Sequence, residues 1–201
     1  MSTKTRTTNN GRKDREFVLS KAATEFRKCG FEKTTVKQVA EACGMLPGSL
    51  HYRYNTKEAL LFDLMRLAME KATDAVLQAG LSYSDPKDQI RECINAHLKA
   101  LLSESDMVYV LLFEWRSIKG DAVKEMLALR DRYENLWSTM LNLLAQKDYI
   151  RADIDINLLR LIGLGALNWV ATWYQPEGKY SIEDIGDFIW NLIMNGVKTP
   201  D

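Results

Sequence analysis

The sequence is poor in the residues that metal, thiol and nucleophile chemistry needs. His51 and His97 are the only histidines among 201 residues, and neither stands in a metal-ligand or catalytic-triad spacing. Cys29, Cys43 and Cys93 are odd in number, far apart and in no C-x-x-C pair. They suggest neither a disulfide framework nor a zinc site, and read as buried, reduced thiols. Gly163 and Gly165 lie inside a helical pattern with no strand before them, so no phosphate-binding loop is expected. These absences leave no support for an enzyme, and no cofactor or metal is expected. The longest apolar runs are interrupted by Asp63, Arg66 or Glu70, which predicts no membrane span. The stretch MSTKTRTTNNGRKDR lacks the apolar core of a secretory signal, so a cytoplasmic protein is expected. No convincing period-two alternation occurs either, and the fold class is all-α.

Net charge is also lacking, with 27 Lys/Arg against 27 Asp/Glu, but the balance is uneven along the chain. Residues 1–60 hold 12 basic and 6 acidic side chains, a charge of +6, which leaves −6 for residues 61–201. A basic N-terminal module on an acidic body fits a head that meets nucleic acid, joined to a regulatory domain. The division expected is a flexible basic arm over 1–13, a DNA-binding domain over 14–60 and a second domain over 61–201.

The stretch TTVKQVAEACGMLPGSLHYRYNTKEALL, residues 34–61, has the layout of a helix-turn-helix. Thr34-Thr35 can cap a short helix with Val36, Val39 and Ala40 on one side. Gly44 supplies the φ > 0 of a tight exit, and Pro47 suits the first turn of a second helix. There Leu50 and Tyr54, four apart, can face a core, while Ser49, Tyr52 and Arg53 share a polar and aromatic face. A short helix with a buried back and a hydrogen-bonding front is what a major groove admits.

The pattern T-T-V-x-x-V-A-x-x-x-G-M-x-x-G-S-L-x-Y-x-Y-x-x-K-E-A-L resembles the DNA-binding domain of the tetracycline-repressor (TetR) family of bacterial regulators. The resemblance implies an N-terminal three-helix helix-turn-helix domain followed by a helical ligand-binding and dimerisation domain. By the same resemblance, Pro47, Gly48, Ser49, Tyr52 and Arg53 stand where the family reads bases, with Arg53 forked for guanine. Lys37 matches a base or phosphate contact, and Thr35 and Lys57 match positions that hold the phosphate backbone. His51 departs from the family's usual tyrosine, whose hydroxyl reaches a phosphate. The partners implied are double-stranded DNA, a second copy of the chain and a small-molecule effector.

Further helices are expected over 14–29, 56–79, 86–104, a segment MVYVLLFEWRSI stopped near Gly120, 121–147, 155–174 and 181–195 ended by Gly196. In the family the ligand cavity lies among the helices from 56 to 147 and the start of the helix 155–174. Inward candidates are Met65, Met69, Leu112, Phe113, Trp115, Arg116, Trp137, Met140 and Trp169, each of which could equally be plain core. Arg116 sits in an apolar run and calls for an anion, either a ligand's or a distant acidic side chain's. The last two helices, with Gly163, Ala166, Ile185, Phe188, Ile189 and Leu192, resemble the family's four-helix dimer face, the alternative being a core within one chain. The segment N-W-x-x-x-W-Y-x-P-x-G resembles TetR-type regulators that respond to acyl-CoA thioesters, implying a long apolar ligand with an anionic head. A drug- or metabolite-sensing repressor of an efflux gene is the alternative. An interaction module without sequence-specific DNA binding is the alternative from another class.

Overall fold

A computed structural model describes residues 4–103 and 105–198, and every regular element among them is helical. The α-helices are α1 Lys4–Cys29, α2 Val36–Ala42, α3 Pro47–Arg53, α4 Lys57–Leu81, α5 Pro86–Ser103, α6 Ser105–Phe113, α7 Asp121–Gln146, α8 Ile156–Trp169 and α9 Ile182–Val197. Their boundaries follow local chemistry. Asp85 caps α5 through the Lys87 N–H at 2.8 Å, with Pro86 at the first helical position. Ser181 and Asp184 close a reciprocal capping box on α9. Gly30, Gly44 and Gly120 take φ of 79°, 67° and 64° where the chain leaves or enters a helix.

Four boundaries differ from expectation. Helix α8 stops at Trp169 rather than 174, and a 3-10 turn covers Val170–Thr172. Helix α1 begins at Lys4 rather than 14, so residues 4–13 extend the helix instead of forming a flexible arm. Once a helix is nucleated, each added turn costs little. Residues 1–3 of that arm lie outside the described residues, as do the side chains of Lys4, Arg6, Arg12 and Lys13. The segment 107–118 is not one helix: α6 stops at Phe113, and a 3-10 turn covers Trp115–Ser117. There the Glu114 carboxylate turns back to accept from the Phe31 N–H and Ser117 Oγ, each at 3.3 Å. Gly196 does not end α9. The helix runs on to Val197 because the Arg151 N–H and guanidinium donate to the carbonyls of Val197 and Gly196 at 2.9 and 3.0 Å.

The helices form two compact units. The first takes residues up to 68 together with 106–126, and the second takes 69–105 and 127 onward. The units therefore depart from a single cut at residue 60. Asp106 explains why α6 joins the first: it accepts from Thr24 Oγ1 at 2.7 Å and from Arg27 at 2.8 Å, while Arg27 lies over the Tyr109 ring. The core of the first unit includes Val18, Leu19, Ala22, Phe26, Val39, Leu50, Leu60, Leu61 and Leu64.

In the second unit α5 is the central element, packed on α8 and α9. Gly186 permits the close approach of α9, since a Cβ there would fall 2.2 Å from Asn95 Oδ1. The Cys93 thiol is buried, donates to the Val76 carbonyl at 3.3 Å, and is pushed up to about 12 by burial. No helix among the described residues is long and apolar enough to cross a membrane.

Candidate nucleic-acid interface

The α2–turn–α3 unit is built from local hydrogen bonds and one apolar seam. Thr35 Oγ1 accepts from the Gln38 N–H at 3.2 Å, and Gln38 Oε1 accepts from the Thr35 N–H at 2.8 Å, a capping box that fixes the start of α2. Thr34, fully buried, donates to the Gly30 carbonyl at 2.8 Å. Val36, Val39, Ala40 and Leu50 are buried, so α2 and α3 are pinned from behind. On the other side of α3, Gly48, Ser49, His51, Tyr52 and Arg53 are exposed, Tyr52 at 93%. Leu46, just before α3, is 78% exposed and extends this surface, a feature that sequence reasoning missed. A Cβ placed on Gly48 would meet nothing within 4 Å, so the chain's own packing gives no reason for glycine there.

One carboxylate locks the unit. Asp63 on α4 accepts from Arg15 at 2.8 and 2.7 Å, from Arg66 at 2.7 Å and from the Tyr54 hydroxyl at 2.7 Å. Burial opposes its ionisation, but the hydrogen bonds from Arg15, Arg66 and Tyr54 outweigh it and hold the carboxyl below the usual carboxylate range. Tyr54, the residue closing α3, is raised by burial and by that same carboxylate. Asp63 thus ties α1, the end of α3 and α4 together. The sequence signal was a lone acid within the apolar run 59–69.

In the second unit α8 presents Leu158, Leu161, Ile162 and Trp169 at 54–65% exposure, with Gly165 and Ala166 on the same stripe. Phe188 and Leu192 of α9 are 69% and 65% exposed. A contiguous apolar surface of this kind marks an interaction face. A partly open apolar pocket of about 30 Å³ lies between α5, α7, α8 and α9, lined in part by Ile94, Trp137, Leu141, Arg160 and Leu167. It has room for a water molecule and not for a drug-sized ligand.

The comparisons with known proteins match this architecture. A model of the tetracyclin repressor-like C-terminal domain matches residues 83–197, and a model of bacterial regulatory proteins of the tetR family matches residues 18–64. The chain belongs to the TetR family. As a member it is a transcriptional regulator and not an enzyme. It is similar to the HTH-type transcriptional repressor KstR2 of Rhodococcus jostii (strain RHA1), at 23% identity over 92% of each chain. The structure resembles that of the TetR family regulator PfmR from Thermus thermophilus, with a TM-score of 0.82 and 26% identity over 90% of this chain and 99% of that one. It also resembles AibR solved in complex with isovaleryl coenzyme A and operator DNA, with a TM-score of 0.80 and 24% identity over 89% and 97% of the two chains.

Within this TetR family chain, the expected DNA-contacting residues on α2, α3 and their flanks are open to solvent, with one reservation. Thr35, Lys37, Gly48, Ser49, His51, Tyr52 and Arg53 are exposed and Pro47 is half-buried. Lys57 is the reservation. Its ammonium donates to the carbonyls of Phe31 and Glu32 at 2.7 and 3.0 Å and rests over the Phe31 ring, which limits what it can offer a phosphate.

The expected ligand residues divide between the two units, Met65, Leu112, Phe113 and Arg116 in the first and Met69, Trp137, Met140 and Trp169 in the second. Of Met65, Met69, Leu112, Phe113, Arg116, Trp137, Met140 and Trp169, only Trp137 lines the cavity. Phe113 and Arg116 are exposed because the helix breaks at Glu114, and Trp169 belongs to the exposed α8 stripe. Of the expected dimer residues, Ile185 is buried at 7% exposure within its own unit, and a Cβ placed on Gly163 would lie 3.8 Å from Ile193 Cδ1. Ala166, Phe188 and Leu192 are on the exposed face, and Ile189 is at its edge.

Proposed function

We propose that this chain is a homodimeric transcriptional repressor that holds a palindromic operator with two copies of α3. It leaves that operator when a small apolar effector, an acyl-CoA or another long apolar anion, binds the second unit. The observation that carries the reading is the two-sidedness of α3: Leu50 is fully buried, and Ser49, His51, Tyr52 and Arg53 are exposed. A helix held this way offers hydrogen-bonding groups to base edges without disturbing its own core. Arg53 reads guanine, Tyr52 and Gly48 pack against the groove, and Thr35, Lys37 and His51 hold phosphates. Residues 14–60 form the DNA-binding domain, and residues 61–201 carry the effector and dimer functions. Two heads are needed for affinity, and the apolar stripe of α8 with Phe188 and Leu192 supplies the surface that pairs them.

AibR, with its isovaleryl coenzyme A and operator DNA, and KstR2, a transcriptional repressor, support the effector class and the mode of action. The effector acts by differential affinity: it must bind the released form more tightly than the DNA-bound form, or it shifts nothing.

Selection of bound duplexes from a random pool by the purified protein, with and without long-chain acyl-CoA, tests the proposal. A palindrome recovered alone and lost with acyl-CoA supports it. A palindrome indifferent to acyl-CoA removes the effector class, and no enriched sequence removes the repressor. Arg53→Ala is expected to relax preference at one base pair by about 1–3 kcal/mol, whereas Lys37→Glu weakens binding across all sequences.

A further inference from the structure

Helices α2, α4, α5, α8 and α9 each start on a residue that caps them, and α3 does not. Thr35, Thr56, Asp85, Asp155 and Ser181 stand at the heads of those helices, and each accepts a backbone N–H of the first turn on its side-chain oxygen. The residue before α3 is Leu46, which has no side-chain bond to offer that turn. Its carbonyl alone serves the turn, accepting from the Ser49 N–H at 2.9 Å. Leucine is among the poorest residues in this place, where serine, threonine, asparagine or aspartate would stabilise the helix.

Burial does not explain the leucine either. A leucine contributes to folding by leaving water, and Leu46 is 78% exposed. A single exposed apolar side chain is ordinary on a protein surface. Here the exposure coincides with the missing cap, so Leu46 is unfavourable to the fold on two separate counts. Its backbone is nonetheless held fast. Pro47 confines the residue before it to extended geometry, and Leu46 takes φ −68° and ψ 137°. On the other side the Met45 N–H is tied to the Ala40 carbonyl at 2.9 Å. The side chain is thus presented to solvent from a fixed mount.

Leu46, Ser49 and Arg53 follow i, i+3, i+7 spacing, which sets them in one row along α3, and all three are exposed. The first residues of a recognition helix meet base edges in the major groove. Leucine has no donor or acceptor. Of the groups the groove displays it can therefore read only the apolar one, the C5 methyl of thymine.

We propose that Leu46 is a specificity-determining residue that packs on the C5 methyl of one thymine in each half-operator. This rests on the operator reading above and adds a residue and a base to it. The helix rises about 10 Å from Leu46 to Arg53, or roughly three base pairs of groove, so the thymine lies that far from the guanine read by Arg53. A 5-methylcytosine carries its methyl at the same ring position. The contact follows the methyl and not the base pair.

The test uses the full-length protein and the operator recovered by duplex selection. Each thymine is replaced in turn, in both half-sites, by deoxyuridine, which removes only the methyl. One position is expected to lose about threefold in affinity per half-site, and so about tenfold for the pair. At that position Leu46→Ala and Leu46→Ser should bind the thymine and deoxyuridine operators equally, while keeping any penalty at other thymines. A general weakening of the interface does not produce such a coupling. Leu46→Ser should also raise the urea midpoint, because it restores the cap. The native protein alone should prefer 5-methylcytosine to cytosine there.

No deoxyuridine penalty at any position, a penalty that persists in Leu46→Ala, a lowered midpoint in Leu46→Ser, or a sensitive thymine adjacent to the guanine located by Arg53→Ala would each overturn the proposal. A pool that enriches no sequence removes the repressor reading and this proposal with it. An operator whose preference relaxes in Arg53→Ala but ignores every thymine methyl removes the role of Leu46 alone.

Discussion

Asp63 is a single side chain on which three helices converge, and removing it has a defined cost. Asp63→Ala leaves Arg15, Arg66 and the Tyr54 hydroxyl without their shared acceptor. Hydrogen bonds to a charged, part-buried group put the loss at about 2–3 kcal/mol, read as a lower urea midpoint. Tyr54→Phe removes one of the four bonds and should cost less than half of that. Gly48 gives the opposite pattern. Alanine meets no atom there and is the better helix former, so Gly48→Ala should raise stability by up to about 1 kcal/mol. If the backbone of α3 approaches a base edge at that point, the same methyl group weakens operator binding in a gel shift. A variant that is both more stable and unimpaired in binding would remove Gly48 from the interface.

At the scale of the element, α8 is amphipathic with its apolar stripe turned outward. Ile162→Glu or Leu161→Arg puts charge on a surface that its own unit leaves exposed, so the monomer should keep its fold. On the dimer proposed above, sedimentation should show a monomer for the variant and a dimer for the native chain, and operator affinity should fall with dimerisation. Gly165→Leu is a milder test, because a Cβ there meets nothing within 4 Å in this chain and only a second copy could object.

This is also where the sequence was easiest and hardest to read. The α2–turn–α3 unit was legible because its determinants are local: a capping box three residues wide, a glycine at positive φ and a proline at the first helical position. The outer face of α9 was only half legible. Ile185 and Phe188 are alike in chemistry, and what separates them is the approach of α5 at Gly186, some ninety residues away in the chain. Cavity membership failed for the same reason, since it depends on which helix faces which. The Asp63 lock was half visible, as an acid in an apolar run, but its partner Arg15 lies 48 residues upstream. The buried role of His97 left no local mark at all.

For the molecule as a whole, acid acts on the two units over different ranges. His97 is pushed down from 6.5 to about 4 by burial. Between those values the unfolded chain binds a proton that the folded second unit refuses, so stability falls as pH drops through that window, by on the order of 3 kcal/mol in total. Asp63 has a folded pKa depressed below the unfolded 3.8, so its contribution to the first unit is present above that value and is lost only as pH falls below it. Urea midpoints should therefore decline from pH 6.5 to 4, and His97→Phe should flatten that decline. A native slope of zero in this window would mean that the imidazole is not held neutral.

The three thiols are divided between the units in the same uneven way. Cys29 and Cys43, at the ends of α1 and α2, are half-buried, whereas Cys93 is sealed in the second unit with its thiol raised to about 12. A maleimide dye added to the native protein should therefore mark the first unit alone. The unmodified sequence already carries its attachment points for fluorescence, and a signal from them reports on the reading head without interference from the body.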